Sequence, residues 1–120
     1  MHELGVTQSI LDIALRHAQD AGAVRVRELN LVIGELSSII DDSVQFYWGM
    51  IAKGTIAEDA TLNFKRIPAR LRCQDCETEF SLDRLEYACP SCGSARVVVA
   101  GGEAFFLESI DVDLAAEAET

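Results

Sequence analysis

Cys73-Gln-Asp-Cys76 and Cys89-Pro-Ser-Cys92-Gly93 decide how the middle of this chain folds, and all four cysteines of the sequence lie in these two runs. A gap of two residues places both thiols of a pair on one tight turn, where they grip an ion from the same side. Two such turns facing each other close a tetrahedral four-sulfur shell, the geometry and softness that suit Zn²⁺, with Zn–S near ~2.3 Å. The interval from Cys76 to Cys89 is long enough to run out, turn and return, so the block reads as a zinc ribbon. Its own apolar residues are few: Phe80, Leu82, Leu85 and Tyr87. Burial alone cannot hold such a segment, and a structural Zn²⁺ of this kind contributes on the order of 10–16 kcal/mol in apparent terms. Disulfides are the alternative in a secreted protein. The opening Met-His-Glu-Leu lacks the basic start of a signal peptide, so the thiols read as reduced, metal-bound and cytoplasmic.

Working outward, Gly101-Gly102 makes a turn and 105–112 reads as a last strand. Ile110 and Val112 need a core that the ribbon does not offer, so that strand returns to an earlier sheet and the zinc unit is an insertion. Toward the N-terminus, Ile10, Ile13, Ala14 and His17 form a helical stripe over 6–21, widened by Leu11, Leu15 and Ala18. Gly22 is a left-handed cap for it, and the start of the helix falls within a few residues of the N-terminus. Residues 24–33 alternate as a strand, with a change of phase near Arg27-Glu28. Asp41 or Asp42 caps a second helix through Val44, Tyr47, Trp48 and Ile51, closed by Gly54. Leu62, Phe64 and Ile67 form a further strand before Pro68. Strand, helix, strand in that order suits a crossover with the two strands parallel. The predicted fold is α+β: a small mixed three-stranded sheet packed with two helices, carrying an inserted four-cysteine zinc-ribbon lobe. The expected domains are 1–70 with 101–120, and the insertion 71–100.

With 120 residues and 49% hydrophobic content, the chain can bury a core, and its net charge of −10 opposes nucleic-acid binding. No apolar run approaches the ~18 residues of a membrane span. No phosphate loop or Ser/His/Asp arrangement can be read, so no enzyme is predicted. Of the two histidines, His17 reads as a helix-end residue, favoured near the negative end of the dipole. His2 stands beside the Met1 amine. That amine, the His2 backbone nitrogen and the His2 Nδ1 can form a five- and a six-membered chelate, with the Glu3 backbone nitrogen or an outside group in the fourth place. Amide nitrogens bind only when deprotonated, which favours square-planar Ni(II) or Cu(II). On spacing alone, an arbitrary residue at an exposed terminus is the competing reading.

Met-His-Glu-Leu-Gly-Val-Thr-Gln-Ser-Ile at the start, Val-Ile-Gly-Glu-Leu-Ser after the first strand, Cys-x-x-Cys with Cys-Pro-Ser-Cys-Gly-Ser, and the closing Glu-Ser-Ile-Asp-Val together resemble the hydrogenase nickel-incorporation proteins (the HypA/HybF family). The resemblance covers nearly the whole chain. It implies a nickel metallochaperone that carries Ni²⁺ transiently and holds Zn²⁺ structurally, serving the [NiFe]-hydrogenase large subunit, and in some members urease, with a maturation GTPase as partner. It implies that His2 binds nickel, with backbone groups of Met1 to Glu3 beside it, and that Cys73, Cys76, Cys89 and Cys92 bind zinc. A homodimer is left open. The competing classes are a zinc-ribbon module for nucleic acid or protein, and a redox dithiol formed by the cysteine pairs.

Overall fold

The computed structural model describes residues 2–81 and 88–115, His2 through its backbone only. Met1, Leu82, Leu85 and Tyr87, all considered above, and residues 116–120 lie outside the described residues. The elements run α1 His2–Asp20, β1 Ala23–Gly34, α2 Asp41–Ile51, β2 Thr61–Ile67, β3 Arg70–Cys73, β4 Glu79–Ser81, β5 Val97–Gly101 and β6 Phe105–Leu114. They form two compact units. One comprises Met1–Val32, Ile39–Lys65 and Phe106–Thr120; the other comprises Ile33–Ser38 and Arg66–Phe105. No helix among the described residues is long and apolar enough to cross a membrane.

In the first unit, α1 begins one turn before its apolar stripe. That turn carries Glu3 and Gly5, which the stripe cannot mark. Ile10, Leu11, Ala14 and Ala18 are buried along one face, and α1 packs on α2. Thr7 is fully buried within the same face, and its hydroxyl is satisfied by donating back to the Glu3 carbonyl. The helix ends as predicted: Gly22 N–H donates to the Gln19 carbonyl at 3.1 Å, and Gly22 takes a φ of 74°. α2 is capped differently from expectation. Ile40 occupies the cap position without a side-chain hydrogen bond, and both aspartates fall inside the first turn. There the helix dipole favours their charge, which is a reason for acids at this end that does not require either to be the cap. Val44 and Trp48 are buried, and Tyr47 and Ile51 are half-buried.

β2, β1 and β6 make a three-stranded sheet in that order. Asn63 on β2 donates to Glu28 at 2.8 Å and to Asn30 at 3.0 Å, and farther along Glu35 N–H donates to the Ile67 carbonyl. Residue numbers on the two strands rise together, so the pair is parallel. Asn30 reaches Ser109 at 3.0 Å, while Gly34 N–H reaches the Ala104 carbonyl at 2.7 Å. Those numbers run in opposite senses, so β6 is antiparallel and the sheet is mixed. Along β1, Val26 and then Leu29, Leu31 and Ile33 are buried, the expected change of phase, and at the end of the strand Val32 and Gly34 are buried as well. Val24, predicted to share the face of Val26, is instead 44% exposed.

The second unit is built on a second sheet of order β4-β3-β5, antiparallel throughout. Residues 33–38 belong to it. Leu36 N–H donates to the Gly102 carbonyl at 2.7 Å, and Ala69 N–H donates to the Glu35 carboxylate at 3.3 Å. A Cβ on Gly34 would lie 2.3 Å from the Gly102 oxygen, and one on Gly102 would lie 2.8 Å from the Ala69 Cα. Gly102 also has a φ of 91°. Three backbone segments therefore meet where no side chain fits, which accounts for the Gly-Glu-Leu-Ser run after β1.

Candidate metal centre

The end of β3 delivers Cys73, and the turns after it and before β5 deliver the other three cysteines. Cys73 and Cys92 sulfurs are 3.6 Å apart, as are those of Cys76 and Cys89. All four sulfurs lie within 4.8 Å of one another. A regular tetrahedron with Zn–S near ~2.3 Å has its sulfurs about 3.8 Å apart. The donor set therefore fits a tetrahedral zinc in number, chemistry and spacing.

The two turns are copies of each other. In the first, Cys73 N–H donates to Thr78 O at 2.9 Å, Glu77 N–H to Cys73 O at 2.9 Å, and Asp75 N–H to Cys73 Sγ at 3.4 Å. In the second, Cys89 N–H donates to Ser94 O at 2.9 Å, Gly93 N–H to Cys89 O at 2.8 Å, and Ser91 N–H to Cys89 Sγ at 3.4 Å. Backbone N–H groups aimed at sulfur favour the thiolate, the form that binds metal. Cys76 is drawn down to about 6 by hydrogen bonding to the Thr78 side chain and backbone. Cys92 receives a downward pull from the Ser94 backbone, yet crowding by Cys73, loss of solvent, and further crowding by Cys76 and Cys89 push it up to about 12. A divalent cation among the four sulfurs removes that crowding by attracting all of them.

The four cysteines cluster as their spacing predicts, whereas the ties between the two turns leave no such mark in the sequence. Ser94 donates to the Asp75 carboxylate, Arg96 pairs with Asp75 at 2.8 Å, and Gln74 N–H donates to the Arg96 carbonyl at 2.8 Å. The exposed ion pair is worth at most about 1 kcal/mol, so it orients the turns more than it holds them. The one signal available beforehand was the equal offset of Thr78 and Ser94 from their cysteines.

The left-handed position of the first turn is occupied by Glu77 at φ 62°, where the second turn has Gly93 at φ 75°. A side chain in that conformation costs roughly 1–2 kcal/mol, partly offset by the freedom glycine loses on folding. Glu77→Gly is expected to stabilise the zinc-loaded second unit by about 1 kcal/mol. Gly93→Ala, whose Cβ would meet nothing within 4 Å, is expected to destabilise it similarly. Urea unfolding followed through β3 and β5 amides checks both signs.

The other predicted site lies at the start of α1. Glu3 is in its first turn and buried, at 8% exposure. The side chain of His2 and the whole of Met1 lie outside the described residues, so the structure places only the Glu3 part of this set. His17 is exposed in the last turn of the same helix, remote from the start.

A closed four-thiolate shell inserted in a small α+β protein defines a protein stapled by structural zinc, with no open coordination position there for chemistry. The family description "Hydrogenase/urease nickel incorporation, metallochaperone, hypA" matches residues 1–112. A hydrogenase maturation factor HypA of Dehalococcoides mccartyi is 39% identical over 113 residues, covering 94% of this chain and 95% of the relative. One of Moorella thermoacetica is 37% identical over 108 residues, covering 90% and 96%. The solution structure of the Ni metallochaperone HypA from Helicobacter pylori superposes with a TM-score of 0.68 at 25% identity, covering 95% of this chain and 99% of that one. The chain belongs to the HypA family of nickel metallochaperones, which act in hydrogenase maturation. It is a metal carrier and not an enzyme.

Proposed function

We propose that Ni(II) is carried at the N-terminus, by the Met1 amine, the His2 amide and imidazole nitrogens, and a group from Glu3. In this reading residues 1–70 with 101–120 handle nickel, and the insertion 71–100 holds zinc. The observation that carries it is the start of α1 at His2. N–H groups in the first turn of a helix point out of its end, away from any carbonyl one turn back. The His2 amide can thus give up its proton to a metal without breaking the helical ladder. The mobile cargo and the fixed ion are then kept on different donors: nitrogen for Ni(II), thiolate for Zn²⁺. A carrier of this kind works in the cytoplasm, receives help from a maturation GTPase and delivers to the [NiFe]-hydrogenase large subunit, with urease as a second client class.

Two extra residues placed before Met1 remove the free amine beside His2 while leaving every side chain present. Nickel affinity is expected to fall by about tenfold or more, because the five-membered chelate ring is lost. An unchanged affinity in the extended chain contradicts an amine-containing site.

A further inference from the structure

The sheet of the first unit ends at β6, and among the described residues no strand lies beyond it. A groove of about 280 Å³ is lined by His17 from the last turn of α1 and by Leu107, Glu108, Ser109 and Ile110. No part of its lining comes from β1 or β2, which places it along the open edge of β6. The two faces of β6 are used differently. Asn30 donates to Ser109 at 3.0 Å and to Asp111 at 3.4 Å, and Arg25 and Arg27 each pair with Asp113 at 3.5 Å. Alternate strand residues share a face, which puts Glu108, Ile110 and Val112 on the other one. There Ile110 and Val112 are half-buried, whereas Glu108 is exposed. Glu108 is also the one acid of β6 with no hydrogen bond or ion pair among the described residues. An open strand edge flanked by a helix can receive an extended peptide as an added strand. Main-chain hydrogen bonds then hold the peptide, and its alternate side chains read the neighbouring strand.

From this groove we infer that β6 takes an extended segment of a partner protein as a fourth strand. That segment carries a lysine or arginine opposite Glu108 and apolar residues opposite Ile110 and Val112. Charge selects the occupant. The charged residues of β6 are all acidic, Glu108, Asp111 and Asp113, in a chain of net charge −10. Asp111 and Asp113 already have partners within the chain, so Glu108 is left to be matched from outside. Opposite charges facing each other across two strands are stabilising, and like charges are destabilising. Two copies joined along β6 would bring the carboxylates of both strands onto one seam, which disfavours a second copy. A charge on a strand edge repels strands that do not match it, and here it admits one that carries the complementary residue. The groove spans four consecutive strand residues, about 13 Å at roughly 3.3 Å per residue, so the contact is small and the association reversible. None of these residues belongs to the nickel or zinc sets.

Titration of the zinc-loaded full chain with a capped peptide, Thr-Val-Thr-Val-Thr-Lys-Thr, followed through its amide resonances, tests the added strand. Run antiparallel to β6, the more stable sense, this peptide sets its valines opposite Val112 and Ile110 and its lysine opposite Glu108. Saturable shifts are expected in β6 and around His17, with slower amide exchange along residues 107–113. A peptide with glutamate in place of lysine should bind about fivefold or more weakly, and Glu108→Lys should reverse that preference at an unchanged unfolding temperature. Two N-methylated peptides, blocked at alternate amides in opposite phase, should differ by about tenfold. In an added strand only every second residue turns its N–H toward β6. The proposal is overturned by the absence of saturable shifts up to several millimolar peptide, by shifts centred elsewhere, or by equal binding of the lysine and glutamate peptides. Equal binding of the two N-methylated forms also overturns it, since contact would then be through side chains alone. Self-association of the chain without peptide, lost in Glu108→Lys, overturns it as well and assigns the edge to a second copy.

Discussion

Cys73→Ser is expected to lose zinc and unfold the second unit while leaving the first folded. The magnitudes decide this. Apart from the cysteines, the buried apolar residues of the second unit, among the described residues, are Ile33, Ala69 and Leu71. Burial of a side chain such as Ile or Leu contributes about 1.5–3 kcal/mol. A structural zinc of this kind contributes on the order of 10–16 kcal/mol, far more than those side chains together. The first unit is differently founded, with Val26, Leu29, Leu31, Val44 and Trp48 all essentially inaccessible. Trp48 is the single tryptophan of the chain, so its fluorescence reports on the first unit alone. The expected result is zinc content near zero and loss of amide protection in β3, β4 and β5, with Trp48 emission and helical circular dichroism retained. A strong chelator acting on the wild type should reproduce it. Simultaneous loss of the tryptophan signal would show that zinc supports the whole chain.

His2→Ala is expected to abolish useful nickel binding, and hydrogenase maturation with it, at unchanged zinc content. Changes to groups that merely orient a ligand cost about 10–100-fold in metal affinity, so removal of a ligand itself should exceed about 100-fold. No other imidazole can substitute. His17 lies on the same helix, and at 1.5 Å per residue it is about 22 Å from His2, beyond the reach of any side chain. The four clustered thiols suit a zinc shell, and a closed tetrahedron of four thiolates would have no place for a further ion. Restoration of maturation by excess nickel would be expected of a variant that has lost affinity but kept its fold.

The four-cysteine cluster was legible in the sequence because a two-residue gap between cysteines fixes a turn regardless of what surrounds it. The helices were legible because Ile10 and Ala14 in the first, and Val44 and Trp48 in the second, stand four residues apart, close to the helical period. Other features depend on segments distant in sequence and left no local trace. Gly34 reads as an ordinary strand terminator, and its need to be glycine appears only when the Gly102 carbonyl is brought against it. The attachment of residues 33–38 to the second unit is hidden for the same reason, since they continue the apolar run of β1. Asp41 and Asp42 looked like caps because an acid before a helix and an acid in its first turn have the same composition. The tie from Asp75 to Arg96 exists only once the two cysteine turns face each other. His2 is the opposite case: spacing alone leaves it undistinguished, and its role rests on the family to which the chain belongs.

Cargo and structural metal are expected to occupy separate sites at opposite parts of the sequence. Titration of Ni(II) into zinc-loaded wild type and His2→Ala, with both metals counted after removal of the unbound ions, tests it most directly. One nickel and one zinc per wild-type chain are expected, and zinc alone in His2→Ala. Equal nickel binding by the two proteins, or nickel gained only as zinc is lost, would contradict it.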